Sequence, residues 1–156
     1  MFLDNQLEFA DGTWAPTATG DNISPNVLDT GPLGGSPTAN AGRDLGQGKQ
    51  LWLLVTVAAA VTSAGAATVD FRLRTDSNAN LTTAPVDLVA TGAIGKATLA
   101  AGYQIVIPVP SATYKRYLGV NANIGTAALT AGSFQADIIT DEQRNTKYAS
   151  AYTLDQ

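Results

Sequence analysis

From Gln50 onward the sequence is cut into short β-favouring runs by Gly, Pro, Asn, Asp and Ser at intervals of roughly 10 to 20 residues. That spacing leaves no room for long helices and is the rhythm of an all-β sandwich. The runs are 51–58, 67–75, 86–91, 104–109, 116–124 and 133–140. Two alternate cleanly: in "TVDFRLR" Val69, Phe71 and Leu73 oppose Asp70, Arg72 and Arg74, and in "SFQADII" Phe134, Ala136 and Ile138 oppose Gln135 and Asp137. Period-2 patterning of this kind predicts one buried and one wet face per strand. Pro108 and Pro110 end the run 104–109, which places it at or near a sheet edge, since proline cannot donate to a ladder. Helical character is confined to the extreme N-terminus and to "DEQRNTKYAS", and neither sustains a period of 3.6.

The first 50 residues are dominated by turn chemistry, with one short strand predicted in "NVLDT" at 26–30. "GPLGGSPTANAG" at 31–42 has too few large apolar groups to offset its own ordering entropy, so contact with something else must order it. The resulting layout is one domain of 156 residues. Residues 1–49 form an N-terminal arm and loop-rich segment, 50–140 the sandwich body, and 141–156 a tail packing on the body or a neighbour. About eight antiparallel strands are expected.

Charged residues make up only 14% of the chain, against the roughly 25% usual for soluble proteins. Nine basic and thirteen acidic residues leave a net charge of −4, a poor field for a polyanion, so direct nucleic-acid binding is not expected. The apolar run 51–69 is broken by Thr56, Thr62, Ser63 and Gly65, which makes it a poor membrane span. "MFLDNQLEFAD" carries Asp4, Glu8 and Asp11 where an export signal would be basic and then apolar. With no Cys and no His, thiolate chemistry is excluded and acid–base work falls to carboxylates, Lys and Tyr. The acids fall in turns or singly on strand faces rather than as a pair suited to glycoside hydrolysis. The reading is a protein without enzymatic activity and without a cofactor.

Three local motifs invite a ligand. "TDSNANLTT" at 75–83 alternates Asp76, Asn78 and Asn80 as a calcium loop does, but Leu81 stands where the loop needs glycine and Asp87 where it needs a bidentate glutamate. A turn in which Asp and Asn side chains cap nearby amides is the favoured reading. "GRDLGQGKQLWLLVTV" at 42–57 has the glycines of a phosphate loop, yet they precede a strand instead of following one into a helix, which points to a tight turn. Arg43 and Asp44 within it can pair with each other or reach a neighbouring subunit. Tyr114, Lys115, Arg116 and Tyr117 form the basic and aromatic cluster, either a solvated strand start or a binding patch.

"MFLDNQLEFAD", "RDLGQGKQLWLLVTV" and "KYASAYTL" at 147–154, together with the middle "ATVDFRLRTDSNANL", resemble in order the corresponding parts of the jelly-roll capsid cement proteins of short-tailed bacteriophages. The segment 24–42 departs from that pattern by its length. The resemblance implies a homo-oligomer, a dimer or trimer, on the outer surface of a virion, clamping neighbouring major capsid protein subunits. It carries no catalytic residues.

For partner contacts the apolar groups of the arm and tail are the candidates: Phe2, Leu3, Phe9, Trp14, Tyr148, Tyr152 and Leu154, with Arg43, Asp44, Tyr114 and Arg116. The alternative for the apolar ones is packing on their own domain. A second functional reading is a glycan- or receptor-binding sandwich on a phage surface or tail, with Trp14, Tyr103 or Tyr114 stacking on a sugar and Trp52 reserved for the core.

Overall fold

The structure, a computed structural model, describes residues 7–31 and 44–140, and no helix occurs among them. Ten strands follow in order: β1 Glu8–Trp14, β2 Gly20–Ile23, β3 Leu28–Asp29, β4 Trp52–Thr62, β5 Thr68–Asp76, β6 Val86–Ala90, β7 Ile94–Gly95, β8 Gln104–Pro108, β9 Tyr117–Gly125 and β10 Ala131–Ile139. They form two antiparallel sheets, a four-stranded one ordered β1-β10-β4-β8 and a six-stranded one ordered β2-β9-β5-β6, with β3 also on β9 and β7 also on β5. The chain is an all-β sandwich.

The alternating strands pair as their sequences dictate. Val69, Phe71 and Leu73 of β5 and Phe134, Ala136 and Ile138 of β10 face each other across the layers, all within the core. Phe71 meets Phe134 edge-on with ring centroids 4.9 Å apart, and Trp14 closes on the same Phe134 at 6.1 Å. Edge-to-face pairs of this kind add roughly 0.5 to 1.5 kcal/mol each beyond the area they bury. As expected from its prolines, β8 pairs with β4 alone and ends the four-stranded sheet.

The expected arm is corrected for residues 8–29, which belong to the body. Of this stretch only "NVLDT" had been expected to be a strand, and it supplies β3. β1 forms the edge of the four-stranded sheet beside β10, and β2 lines β9 in the other sheet. The segment therefore crosses from one layer to the other. Residues 32–43 and 141–156, including the expected tail, lie outside the described residues.

A second small cluster sits on the outer face of the six-stranded sheet. The 77–85 loop carries Leu81, fully buried and with a positive φ of 54°, onto Gly119 of β9, where a Cβ would lie 2.4 Å from its Cδ1 and near Ser24 and Val27. Glycine at 119 makes the hole that Leu81 fills.

Candidate interaction surface

Six of the expected contact residues, Phe2, Leu3, Arg43, Tyr148, Tyr152 and Leu154, lie outside the described residues. Two others are corrected. Phe9 is 1% exposed and packs in the core from β1, because a bulge turns both Phe9 and Ala10 inward. Tyr114 is 2% exposed, and its hydroxyl donates to the Pro110 carbonyl at 2.7 Å. Burial, with the nearby Asp44 carboxylate, pushes this phenol up to about 12. A buried Tyr114 offers no face to a sugar or a subunit. Trp14 is half-buried against Phe134. Trp52, expected in the core, instead points away from it, opposite Ile139 and Pro108 on the outer face of its sheet.

The basic and aromatic cluster is divided among separate tasks. Arg116 holds Asp29 with two donors, Nε at 2.9 Å and Nη2 at 2.7 Å, and its guanidinium carbon lies 5.0 Å from the Tyr117 ring centroid. Hydrogen bonds from Arg116 and from the Gly31 amide hold the Asp29 carboxyl below the usual carboxylate range. Lys115 ties the 77–85 loop down by donating Nζ to the Ala84 carbonyl, while its backbone amide donates to Thr75 Oγ1 at 2.9 Å.

Asp44 turns to the body. Its carboxylate accepts from the Ser111 hydroxyl at 2.7 Å and the Gly46 amide at 2.8 Å. Gly46 lies so close to the 110–111 backbone that a Cβ would sit 2.2 Å from Pro110 C and O and from Ser111 N. The glycines thus let a turn press flat against a neighbouring loop before β4 starts, and no helix follows to present amides to an anion.

In the calcium-like loop the Asp76 carboxylate is already surrounded by amides. Oδ1 accepts from Ser77 at 2.5 Å and Asn78 at 3.3 Å, and Oδ2 from Thr83 and Ala84 at 3.0 Å each. Burial opposes its charge, but these four amides outweigh burial and lower the carboxyl below its ordinary value. Their donors occupy the oxygens a cation would need. Among the described residues no group of three or more acidic, His or Cys side chains could hold a metal ion.

A polar belt crosses the outer face of the six-stranded sheet from β2 to β6. Arg74, with a side chain only 5% exposed, donates Nε to Asp87 Oδ1 at 2.6 Å and Nη1 to Asp21 Oδ2 at 2.7 Å. Asp21 also accepts from Asn121 at 2.9 Å and Asn123 at 2.5 Å. Burial raises its pKa, but bonds from Asn123, Arg74 and Asn121 prevail and bring it to about 2. Arg72 joins Asp70 at 2.7 Å and Asp87 at 3.2 Å. The alternation in "TVDFRLR" places Arg72 and Arg74 on this face, but the partners on β2, β6 and β9 come from the pairing and were not legible beforehand.

The outer face of the four-stranded sheet changes character along its strands. At one end stands the row Asp11, Gln135, Thr56 and Gln104, exposed or half-buried. Next comes Glu8, Asp137, Leu54 and Val106, and then Ile139, Trp52 and Pro108. Asp137, read from the sequence as a wet-face residue, is 2% exposed, and its Oδ1 has no hydrogen-bond partner among the described residues. Burial and then the charge of Glu8 push its carboxyl up to about 6, against a smaller lowering by a hydrogen bond from Gln135.

The described carboxylates are for the most part engaged in holding the chain's own loops and strands, an arrangement suited to a rigid binding surface. Among the described residues the exposed large apolar groups are Tyr103 at the entry to β8 and Val86 at the start of β6, 38% and 43% exposed. No helix among the described residues is long and apolar enough to cross a membrane. No curated protein matches the chain. The model of the Bbp16 family matches residues 9–138, from within β1 into β10.

Proposed function

The chain belongs to the Bbp16 family, and from that premise we propose that it is a structural virion protein, a cement protein on the outer capsid surface that bridges major capsid protein subunits and stabilises the shell. The observation that carries this reading is how the ionisable groups are used: Asp21, Asp29, Asp44, Asp76, Arg74 and Arg116 all brace strands or loops. A body braced in this way transmits load between the surfaces it touches. The ordered resemblance of its segments to phage cement proteins supports the same reading. Each contact with the shell can be weak, because a closed homo-oligomer engages several at once.

The test is co-sedimentation of the purified full chain with empty capsids, with copies per particle counted. Saturation at many copies over the whole shell, released by mild denaturant, is expected; no binding, or a few copies at one vertex, would overturn the reading. One observation favours a second reading, a glycan-binding module: Tyr103 is exposed at the entry to an edge strand. Glycan-array hits that disappear in Tyr103→Ala would establish it.

A further inference from the structure

Among the described residues each sheet ends in an edge strand on either side, and β1, β2 and β6 carry features that discourage a further strand. β1 has two register shifts and bears Glu8 and Asp11, β6 has a register shift and bears Asp87, and β2 is four residues long and bears Asp21. β8 differs from all of them. Its register with β4 is regular, and no residue between Lys96 and Lys115 is charged.

The hydrogen bonds to β4 fix which backbone groups β8 leaves over. The Val57 amide donates to the Tyr103 carbonyl and the Val109 amide to the Leu51 carbonyl, at 2.9 Å each. Bonded and unbonded pairs alternate along an antiparallel ladder, so residues 103, 105, 107 and 109 turn their backbone towards β4. Gln104, Val106 and Pro108 turn theirs away, and among the described residues no other strand meets them. Pro108 thus lacks its N–H on the side where β4 needs none. The open groups are the Gln104 and Val106 amides and the carbonyls of Gln104, Val106 and Pro108. Tyr103, 38% exposed, stands on the side of the strand shared by half-buried Ile105 and buried Ile107.

We propose that this edge receives β8 of a second copy of the chain, antiparallel to it and related by a two-fold axis at Ile105. Gln104 of each copy then exchanges both backbone hydrogen bonds with Val106 of the other, and every open amide finds a carbonyl. Tyr103 falls opposite Ile107 of the other copy, which covers the ring, while Pro108 lies beyond the paired stretch. The two four-stranded sheets become one continuous sheet. A second copy is the occupant because the edge complements itself: it supplies donor and acceptor, ring and aliphatic surface, and no charge that would repel its twin. Two-fold contacts of this isologous kind are the commonest closed symmetry. So short a ribbon is a small joint, and the dimer comes apart on dilution. The inference specifies the homo-oligomer invoked in the cement reading, but its test needs no capsid: dimers that fail to bind capsids would refute that reading and leave this one standing.

Sedimentation of the full chain from about 10 µM to about 1 mM should pass from monomer to dimer. At the upper end the Gln104 and Val106 amides should exchange hydrogen at least about tenfold more slowly than at the lower, while Ile105 and Ile107, bonded to β4, stay protected at both. A chain that stays monomeric, a trimer, or a dimer whose Val106 amide exchanges as fast as the monomer's overturns the proposal. So does protection already complete in the monomer, which would mean that the chain fills its own edge, or protection that arises only when capsids are added, which would assign the edge to a different protein. Val106→Pro removes an outward N–H and no bond to β4, so it should abolish the dimer and leave Ile107 protected; a dimer that persists refutes the pairing. The chain has no cysteine, and an unbonded antiparallel pair sets its Cα atoms about 4.5 Å apart, within disulfide range. Ile105→Cys should therefore oxidise to a covalent dimer and Ala90→Cys on β6 should not, and the reverse result would move the interface to the other sheet and refute the proposal.

Discussion

Asp137 gives a quantitative test, because its environment penalises the charge it carries at neutral pH. Its carboxyl is raised from 3.8 to about 6 by burial and by Glu8. A gap of about 2 units, at about 1.36 kcal/mol per unit, amounts to about 3 kcal/mol. A group whose folded pKa lies above its unfolded one favours folding fully below the unfolded value and loses that contribution as pH rises through the folded value. The parent protein should therefore lose stability between about pH 4 and pH 7 through this residue. Asp137→Asn keeps the shape and removes the charge. Its amide brings N–H donors that need partners, which returns about 1 kcal/mol of the gain. The variant should be about 2 kcal/mol more stable than the parent at pH 7.5, with the difference shrinking to nothing or reversing near pH 4. Urea denaturation midpoints of both proteins, measured from pH 4 to pH 8, read this directly. A difference that does not vary with pH, or a variant less stable at pH 7.5, would refute the assignment of a buried carboxylate with no cation beside it and one oxygen left without a hydrogen bond.

Replacing Gly46 with Ala forces a Cβ into the Pro110 and Ser111 backbone, and should lower stability by about 2 kcal/mol or more in thermal melts. Arg74→Met takes the Arg74 donors from Asp21 and Asp87 and leaves them Asn121, Asn123 and Arg72; because both acids keep some access to water, the cost should be about 1 to 3 kcal/mol, smaller at pH 3 than at pH 7 in chemical denaturation as the lowered Asp21 carboxyl is protonated. Asp76→Ala leaves four amides of the 76–84 loop without their acceptor and should cost about 2 to 4 kcal/mol, with faster hydrogen exchange at Thr83 and Ala84. The Asp76 carboxyl is lowered in the folded state, so the parent's advantage over this variant should be present at neutral pH and fade as pH falls below about 4.

The strands that could be read from the sequence are those whose side chains alternate. β5 and β10 announce themselves because Val69, Phe71, Leu73, Phe134, Ala136 and Ile138 recur at every second position. β1 does not, since register shifts after Glu8 and after Asp11 put Phe9 and Ala10 inward together and Gly12 at a φ of +89°. β2, "GDNI", has no apolar alternation, and polar atoms help to fasten it, with the Asn22 amide donating to Asn121 Oδ1 at 2.9 Å. The reversed order of glycines and strand was enough to dismiss the phosphate loop. Nothing local could show that Asp44 would reach Ser111 or that Asp137 would be buried on the outward face, because both depend on elements far away in sequence.

The pairing of β1 with β10 has a consequence for the making of the protein. The strand nearest the start of the body finds its hydrogen-bonding neighbour only in the strand that finishes it, and β4 too waits for β10 on one side. At about 5 to 20 residues per second, a ribosome emits β1 on the order of ten seconds before its partner exists. During that delay the half-built layer has a bare edge of the kind that recruits other chains. In the finished layer β1 is itself an edge, and its two register shifts against β10 break up the regular row of backbone groups that a passing chain could pair with.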